Sequence, residues 1–136
     1  MKKTQKRRVL VVDDQQVVRD ILAHFLSIKG FDVETAENGL EALALFIVDH
    51  FDIVITDLQM PHMDGSSLAL EIKNRNPTTF IIIMTGDREA DVKKLLASGC
   101  ADFAMLKPFS LNTLYDVCQF AFASKAENRS HQAASS

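Results

Sequence analysis

Short apolar runs alternate with segments of helical periodicity five times along the 136 residues, and this rhythm narrows the possible folds more than any other feature. Arg8 to Val12 (RVLVV) predicts a strand buried on both faces. Val17, Val18, Ile21, Leu22, Phe25, Leu26 and Ile28 then recur at helical spacing until Lys29-Gly30 stops the helix. Asp32 to Ala36 (DVETA) predicts a less buried strand near an edge, Asn38-Gly39 a turn, and Leu40 to Val48 a second helix. Ile53 to Thr56 predicts a third strand that ends at Asp57, and Pro61 and Gly65 punctuate a loop before a helix over Ser66 to Asn74. Pro77 precedes a fourth strand, Phe80 to Thr85, and a helix follows from about Arg88 to Ser98. Phe103 to Leu106 predicts the fifth strand, with Pro108 just beyond it, and Leu111 to Ala123 the last helix.

Repeated βα units require a parallel sheet with helices on both faces. Five strands are too few for a closed barrel of eight, which leaves an α/β fold with an open, doubly wound (βα)5 sheet, most simply in the order 2-1-3-4-5. The expected organisation is a basic leader over 1–7, one domain over 8–123, and a polar tail or linker stub over 124–136 (SKAENRSHQAASS).

Charge separates the leader from the body. The first eight residues carry five basic groups (Lys2, Lys3, Lys6, Arg7, Arg8) and no acid, leaving 10 basic against 18 acidic residues in the remainder. The leader has no interleaved aromatics, and the acidic body argues against direct nucleic-acid binding. Apolar runs such as Phe80 to Met84 fall far short of the about 20 residues of a membrane span, and Val9 to Val12 is too short for a secretory signal. A cytoplasmic location is expected, with Cys100 and Cys118 reduced. His24, His50, His62 and His131 have no zinc-site spacing.

Open parallel sheets bind ligands outside the carboxyl ends of their strands, near the switch in strand order. Strand 1 delivers Asp13 and Asp14 there, strand 3 Asp57, strand 4 Thr85 and Gly86, and strand 5 Lys107 and Pro108. Singly, each has an ordinary explanation: an acid capping a helix, a strand-forming threonine, a solvated lysine. Together they are harder to dismiss, because three clustered acids repel one another unless a cation neutralises them. Hard oxygen donors select Mg²⁺ or Mn²⁺. A carboxylate attacking phosphorus needs positive charge against the phosphoryl oxygens, which such a cation and the Lys107 ammonium would supply from two sides. Thr85 can donate its hydroxyl to a phosphoryl oxygen, and Gly86 leaves space and a backbone N–H for the group. The expected product is an acyl phosphate on Asp57.

The segment Asp57-Leu58-Gln59-Met60-Pro61-His62-Met63-Asp64-Gly65 resembles the phosphoacceptor signature of the response regulator receiver family of two-component signalling, in which chemotaxis receivers are included. Asp13-Asp14 is similar to its acidic pair, Thr85 to its switch hydroxyl, Lys107-Pro108-Phe109 to its Lys-Pro-Phe, and Ala36 to Leu43 to its second turn and helix. The resemblance runs from Val9 to about Ala123 and implies a flavodoxin-like fold. It implies that Asp57 accepts a phosphoryl group from a sensor histidine kinase or phosphotransfer protein, in a signalling domain that catalyses only its own phosphorylation and dephosphorylation. It further implies Mg²⁺ on Asp14, Asp57 and the backbone carbonyl of Gln59, with Asp13 acting through water, and Lys107 contacting Asp57 and later the phosphate. Gln59 and Asp87 would flank the hydrolytic water, and Gly39 would supply a positive-φ turn position. Partners are expected on the face of the fourth helix, fifth strand and fifth helix, whether a downstream protein, an output domain or a second copy.

One departure stands out. The family's aromatic, three residues before the lysine, is replaced by Ala104, with Phe103 displaced by one and Gly99 one place ahead of Cys100. The expectation is that Ala104 takes the switch position, with Phe103 packed on the opposite face and Met105 and Leu106 buried. Two rival classes share some of these features. Haloacid-dehalogenase-like phosphatases need an acid two residues after the nucleophile, where this chain has Gln59. Pseudo-receivers, which bind partners without phosphorylation, lose an acid, the acceptor or the lysine, all retained here.

Overall fold

A computed structural model describes residues 7–86 and 89–134 of the chain, with side chains described for 7–86 and 92–123. Strands and helices alternate as β1 (Arg8–Val12), α1 (Gln16–Ile28), β2 (Asp32–Ala36), α2 (Gly39–Val48), β3 (Ile53–Asp57), α3 (Gly65–Arg75), β4 (Phe80–Thr85), α4 (Glu89–Ala97), β5 (Phe103–Leu106) and α5 (Leu111–Ala134). All strand pairs are parallel, and the order is β2-β1-β3-β4-β5. The order reverses between β1 and β3, the place where a doubly wound sheet opens a crevice.

Alternation along each strand divides the core in two. Val9, Val11, Ile55, Ile82 and Met84 face α1 and α5, where they meet Leu22, Leu26, Leu114 and Cys118. Leu10, Val12, Val54, Ile81 and Ile83 face the other way, onto Ala42, Phe46, Leu68, Ile72 and Leu95 of α2, α3 and α4. Two-sided burial explains why the central strands read as unbroken apolar runs; each such side chain contributes about 1.5–3 kcal/mol. Burial also pushes the Cys118 thiol up to about 12, which leaves it an inert core residue. Both cysteines are free and buried. Among the described residues no helix is long and apolar enough to cross a membrane.

Several local expectations need correction. Gly39 is the first residue of α2, and positive φ occurs among the glycines only at Gly30 and Gly99 of the described residues. What requires glycine at 39 is Met63: a Cβ there would lie 2.9 Å from the Met63 Cβ. Helix α5 runs to Ala134 instead of ending at Ala123, since 111–134 contains neither glycine nor proline and its polar half is rich in helix formers. On α1 only Leu22 and Leu26 are buried, and Val17, Ile21 and Ile28 lie on the solvent side. The leader begins outside the described residues, but Arg7 is held: its guanidinium donates to Gln119 Oε1 at 3.1 Å and lies 4.4 Å from the Phe122 ring centroid.

Edge strand β5 answers the question raised by Ala104. Ala104 pairs with Ile83, and Leu106 pairs with Thr85, so both stand on the Thr85 face of the sheet. Phe103 pairs with Ile82 on the opposite face, as expected, but it is 37% exposed instead of packed. Leu106 is 40% exposed, against the expectation of burial, because β5 has no outer strand beside it. Gly99 has φ 77° and closes the end of α4, which its displaced position allows without moving β5.

Candidate functional site

At the carboxyl edge each site residue follows the last rung of a backbone ladder. Asp13 N donates to Ala36 O at 3.2 Å, Leu58 N to Met84 O at 2.9 Å, and Lys107 N to Thr85 O at 2.8 Å. Asp13, Asp57 and Lys107 are therefore set by strand pairing instead of loop conformation, which is the rigid support a reaction site needs. Among the described residues the carboxylates of Asp13, Asp14 and Asp57 form one cluster, each offering an oxygen within 4.8 Å of the others. Lys107 Nζ lies 3.2 Å from Asp57 Oδ1 and 3.8 Å from Asp13 Oδ2. Thr85 is buried at the end of β4, one residue beyond the Met84 that pairs with Asp57.

The three acids are not alike. Asp13 is buried, Asp57 half-buried and Asp14 exposed. Burial holds the Asp13 carboxyl above its ordinary range; Asp57 and Asp14 push it the same way, while the Gln15 N–H and Lys107 act against the rise. Asp13 Oδ1 accepts from Gln15 N at 2.9 Å, but Oδ2 is buried with no hydrogen-bond partner. Such an atom costs stability unless something positive meets it. Hard oxygen donors around a buried carboxylate oxygen that lacks a hydrogen bond fit a divalent cation.

The loop after β3 is folded down onto the acceptor strand. Gly65 N donates to Leu58 O at 2.7 Å, and a Cβ at Gly65 would overlap the backbone carbonyl of Asp57. His62 takes the left-handed conformation with φ 71°, and Met63 reaches across to Gly39. Asp64 then caps α3, accepting from Ser67 N and Ser66 Oγ at 2.8 Å each. Gln59 is exposed at the head of this loop, and a Cβ on Gly86 would meet nothing within 4 Å. Asp87 lies outside the described residues.

The geometry thus gathers, in one crevice, carboxylates, an ammonium and open space. The family described as response regulator receiver domain matches residues 9–119. The chain belongs to this family. It is 36% identical over 119 residues to the regulatory protein AtoC of Escherichia coli K12, covering 87% of this chain and 26% of that protein. Among solved structures it is similar to the chemotaxis protein CheY4 of Vibrio cholerae, with TM-score 0.81, 31% identity, and coverage of 86% of this chain and 99% of that one. It is also similar to the response regulator TrrA of Thermotoga maritima solved in complex with Mg(2+)-BeF, with TM-score 0.77, 34% identity, and coverage of 85% and 98%. The receiver spans 26% to 45% of the first curated relatives it matches. Phosphoryl acceptance is the function of this family, and its match sets the phosphatase alternative aside.

Sequence reasoning missed two participants in this receiver's site. Gly65 read as loop punctuation and as the end of the signature, although what requires glycine there is the Asp57 carbonyl, which a Cβ would overlap. Arg19, closing the first turn of α1, donates from Nη1 to the backbone carbonyl of Asp13 at 2.7 Å. A basic residue five positions after an acidic pair was the available signal, but helical spacing alone does not show that it turns back toward the loop.

Proposed function

We propose that this receiver accepts a phosphoryl group on Asp57 from a phosphohistidine of a sensor kinase or phosphotransfer protein. The observation that carries the reading is the Lys107 Nζ at 3.2 Å from Asp57 Oδ1, beside the two further carboxylates. An Asp57 oxygen forms the new bond to phosphorus. The P–N bond of the donor breaks, its electron pair stays on the imidazole, and that ring takes a proton from solvent. Lys107, released from its Asp57 oxygen, follows the charge onto the phosphoryl oxygens, and Thr85 donates its hydroxyl to one of them. Asp14, Asp57 and the Gln59 carbonyl would hold Mg²⁺ or Mn²⁺, with Asp13 through water, and the cation would neutralise charge on the acids and the incoming group. In the return step water attacks phosphorus, the acyl-phosphate bond breaks, inorganic phosphate leaves and Asp57 is restored; Gln59, exposed at the head of the loop, would tune the rate.

The signal leaves through α4, β5 and α5, where Leu96, Phe103 and Leu106 are exposed. Its receiver is an output domain, a downstream protein or a second copy, in the cytoplasm. With Ala104 in the aromatic's place, activation rests on Thr85 and loop movement.

Mass spectrometry after treatment with a small phosphodonor tests the assignment. Wild type gains one phosphoryl group with Mg²⁺ and none in chelator, and Asp57→Ala gains none. Equal labelling of the two proteins would sink it.

A further inference from the structure

Asp13 has four polar groups, and the chain occupies three. Its N–H donates to Ala36 O, its Oδ1 accepts from Gln15 N, and its carbonyl accepts from Arg19 Nη1 at 2.7 Å. The fourth, Oδ2, is buried and without a hydrogen-bond partner. The carbonyl that Arg19 holds belongs to the peptide plane joining Asp13 to Asp14. The orientation of that plane sets ψ of Asp13 and φ of Asp14, and the rotamers open to the two carboxylates depend on those angles. We propose that Arg19 is a positioning residue: it locks the Asp13–Asp14 peptide so that both carboxylates point at one cation.

Arg19 suits this task. It rises from α1, whose packing under β1 and β2 fixes the base of its side chain, and its own N–H is tied to Gln15 O at 3.1 Å. A guanidinium donates along fixed directions, so it restrains the orientation of a carbonyl better than an ammonium does. It grips the backbone, not a carboxylate, and leaves the acids' oxygens free for the metal. Its charge alone works the other way, since a positive group near the acids opposes a second cation. Positioning and charge therefore make opposite statements about what happens when Arg19 is removed.

This inference rests on the cation reading proposed above, and isothermal titration of the full chain with MgCl₂ separates the two. Absence of Mg²⁺ binding to wild type would overturn that reading itself. Given wild-type binding, Arg19→Met raises the Mg²⁺ dissociation constant about tenfold, the usual effect of losing an outer-shell partner. Arg19→Lys, which keeps charge and a donor but not the fork, falls between the two. Melting in chelator accompanies each titration and reports folding separately. An Arg19→Met dissociation constant equal to or lower than wild type overturns the inference, whatever the melting temperature does. Should Arg19→Met not fold, Arg19→Lys decides: an affinity equal to wild type overturns the proposal.

Discussion

The two edges of the sheet carry acids in comparable supply and use them in opposite ways. At the amino edge Arg8 is shared by Asp32, Glu34 and Asp49, and Asp52 and Asp102 accept from backbone N–H groups as well. Arg8 lies over the Phe51 ring at 4.6 Å and pairs with Asp32 at 3.1 Å and with Asp49. Asp52 accepts from Arg8 N at 3.0 Å, and Asp102 takes Lys73 Nζ at 2.6 Å and Ile81 N at 2.8 Å. The Arg8 hydrogen bond holds the Asp49 carboxyl below its ordinary value. At the carboxyl edge three clustered acids meet one described ammonium, Lys107, and a buried oxygen of Asp13 is left without a hydrogen bond. The amino edge is built for stability. The carboxyl edge holds back charge pairing that a cation and a phosphoryl group would complete.

That contrast predicts opposite signs for removing an acid. Asp102→Ala leaves the Ile81 N–H without its acceptor and costs about 2 kcal/mol in chemical denaturation. A loss below about 0.5 kcal/mol, the level of an ordinary surface change, would show that the amino-edge network is decoration. Asp13→Asn keeps the acceptor for Gln15 N and deletes the charge, so the metal-free protein gains about 1 kcal/mol while Mg²⁺ binding weakens. Earlier melting of this variant in chelator would make Asp13 a structural acid and erase the contrast.

Asp64 sharpens the boundary, because it sits at the carboxyl edge yet behaves as a structural acid. The Ser67 N–H, with Ser66, holds its carboxyl below the ordinary 3.8. Its folded value is depressed, so its stabilisation is complete above the ordinary carboxyl range and is lost as pH falls through it. Asp64→Ala should cost roughly 0.5–1 kcal/mol at neutral pH, with the difference from wild type shrinking below about pH 4. A penalty independent of pH would assign the cap to shape alone. The smallest effect is expected at Ala104, half-buried on the exposed edge strand: Ala104→Tyr changes stability by no more than about 0.5 kcal/mol. A larger loss in denaturation would mean that no room for an aromatic exists beside Thr85.

The alternation of periods in the sequence determined the (βα)5 architecture and the strand order, because two-sided burial and helical spacing are written locally in residues such as Val9 to Val12 and Leu22 to Leu26. Once the strand ends were known, the rule that ligands gather at carboxyl ends was enough to collect Asp13, Asp14, Asp57, Thr85 and Lys107. Contacts between distant segments were decided only in three dimensions. Gly39 looked like a turn glycine, and its need is the nearness of Met63; Leu106 looked buried, and its exposure follows from the missing neighbour of an edge strand. The grip of Arg19 on the Asp13 carbonyl and the pairing of Lys73 with Asp102 carry no periodicity at all. Periodicity records which side of an element is covered, whereas the identity of the covering atom depends on how the elements are stacked.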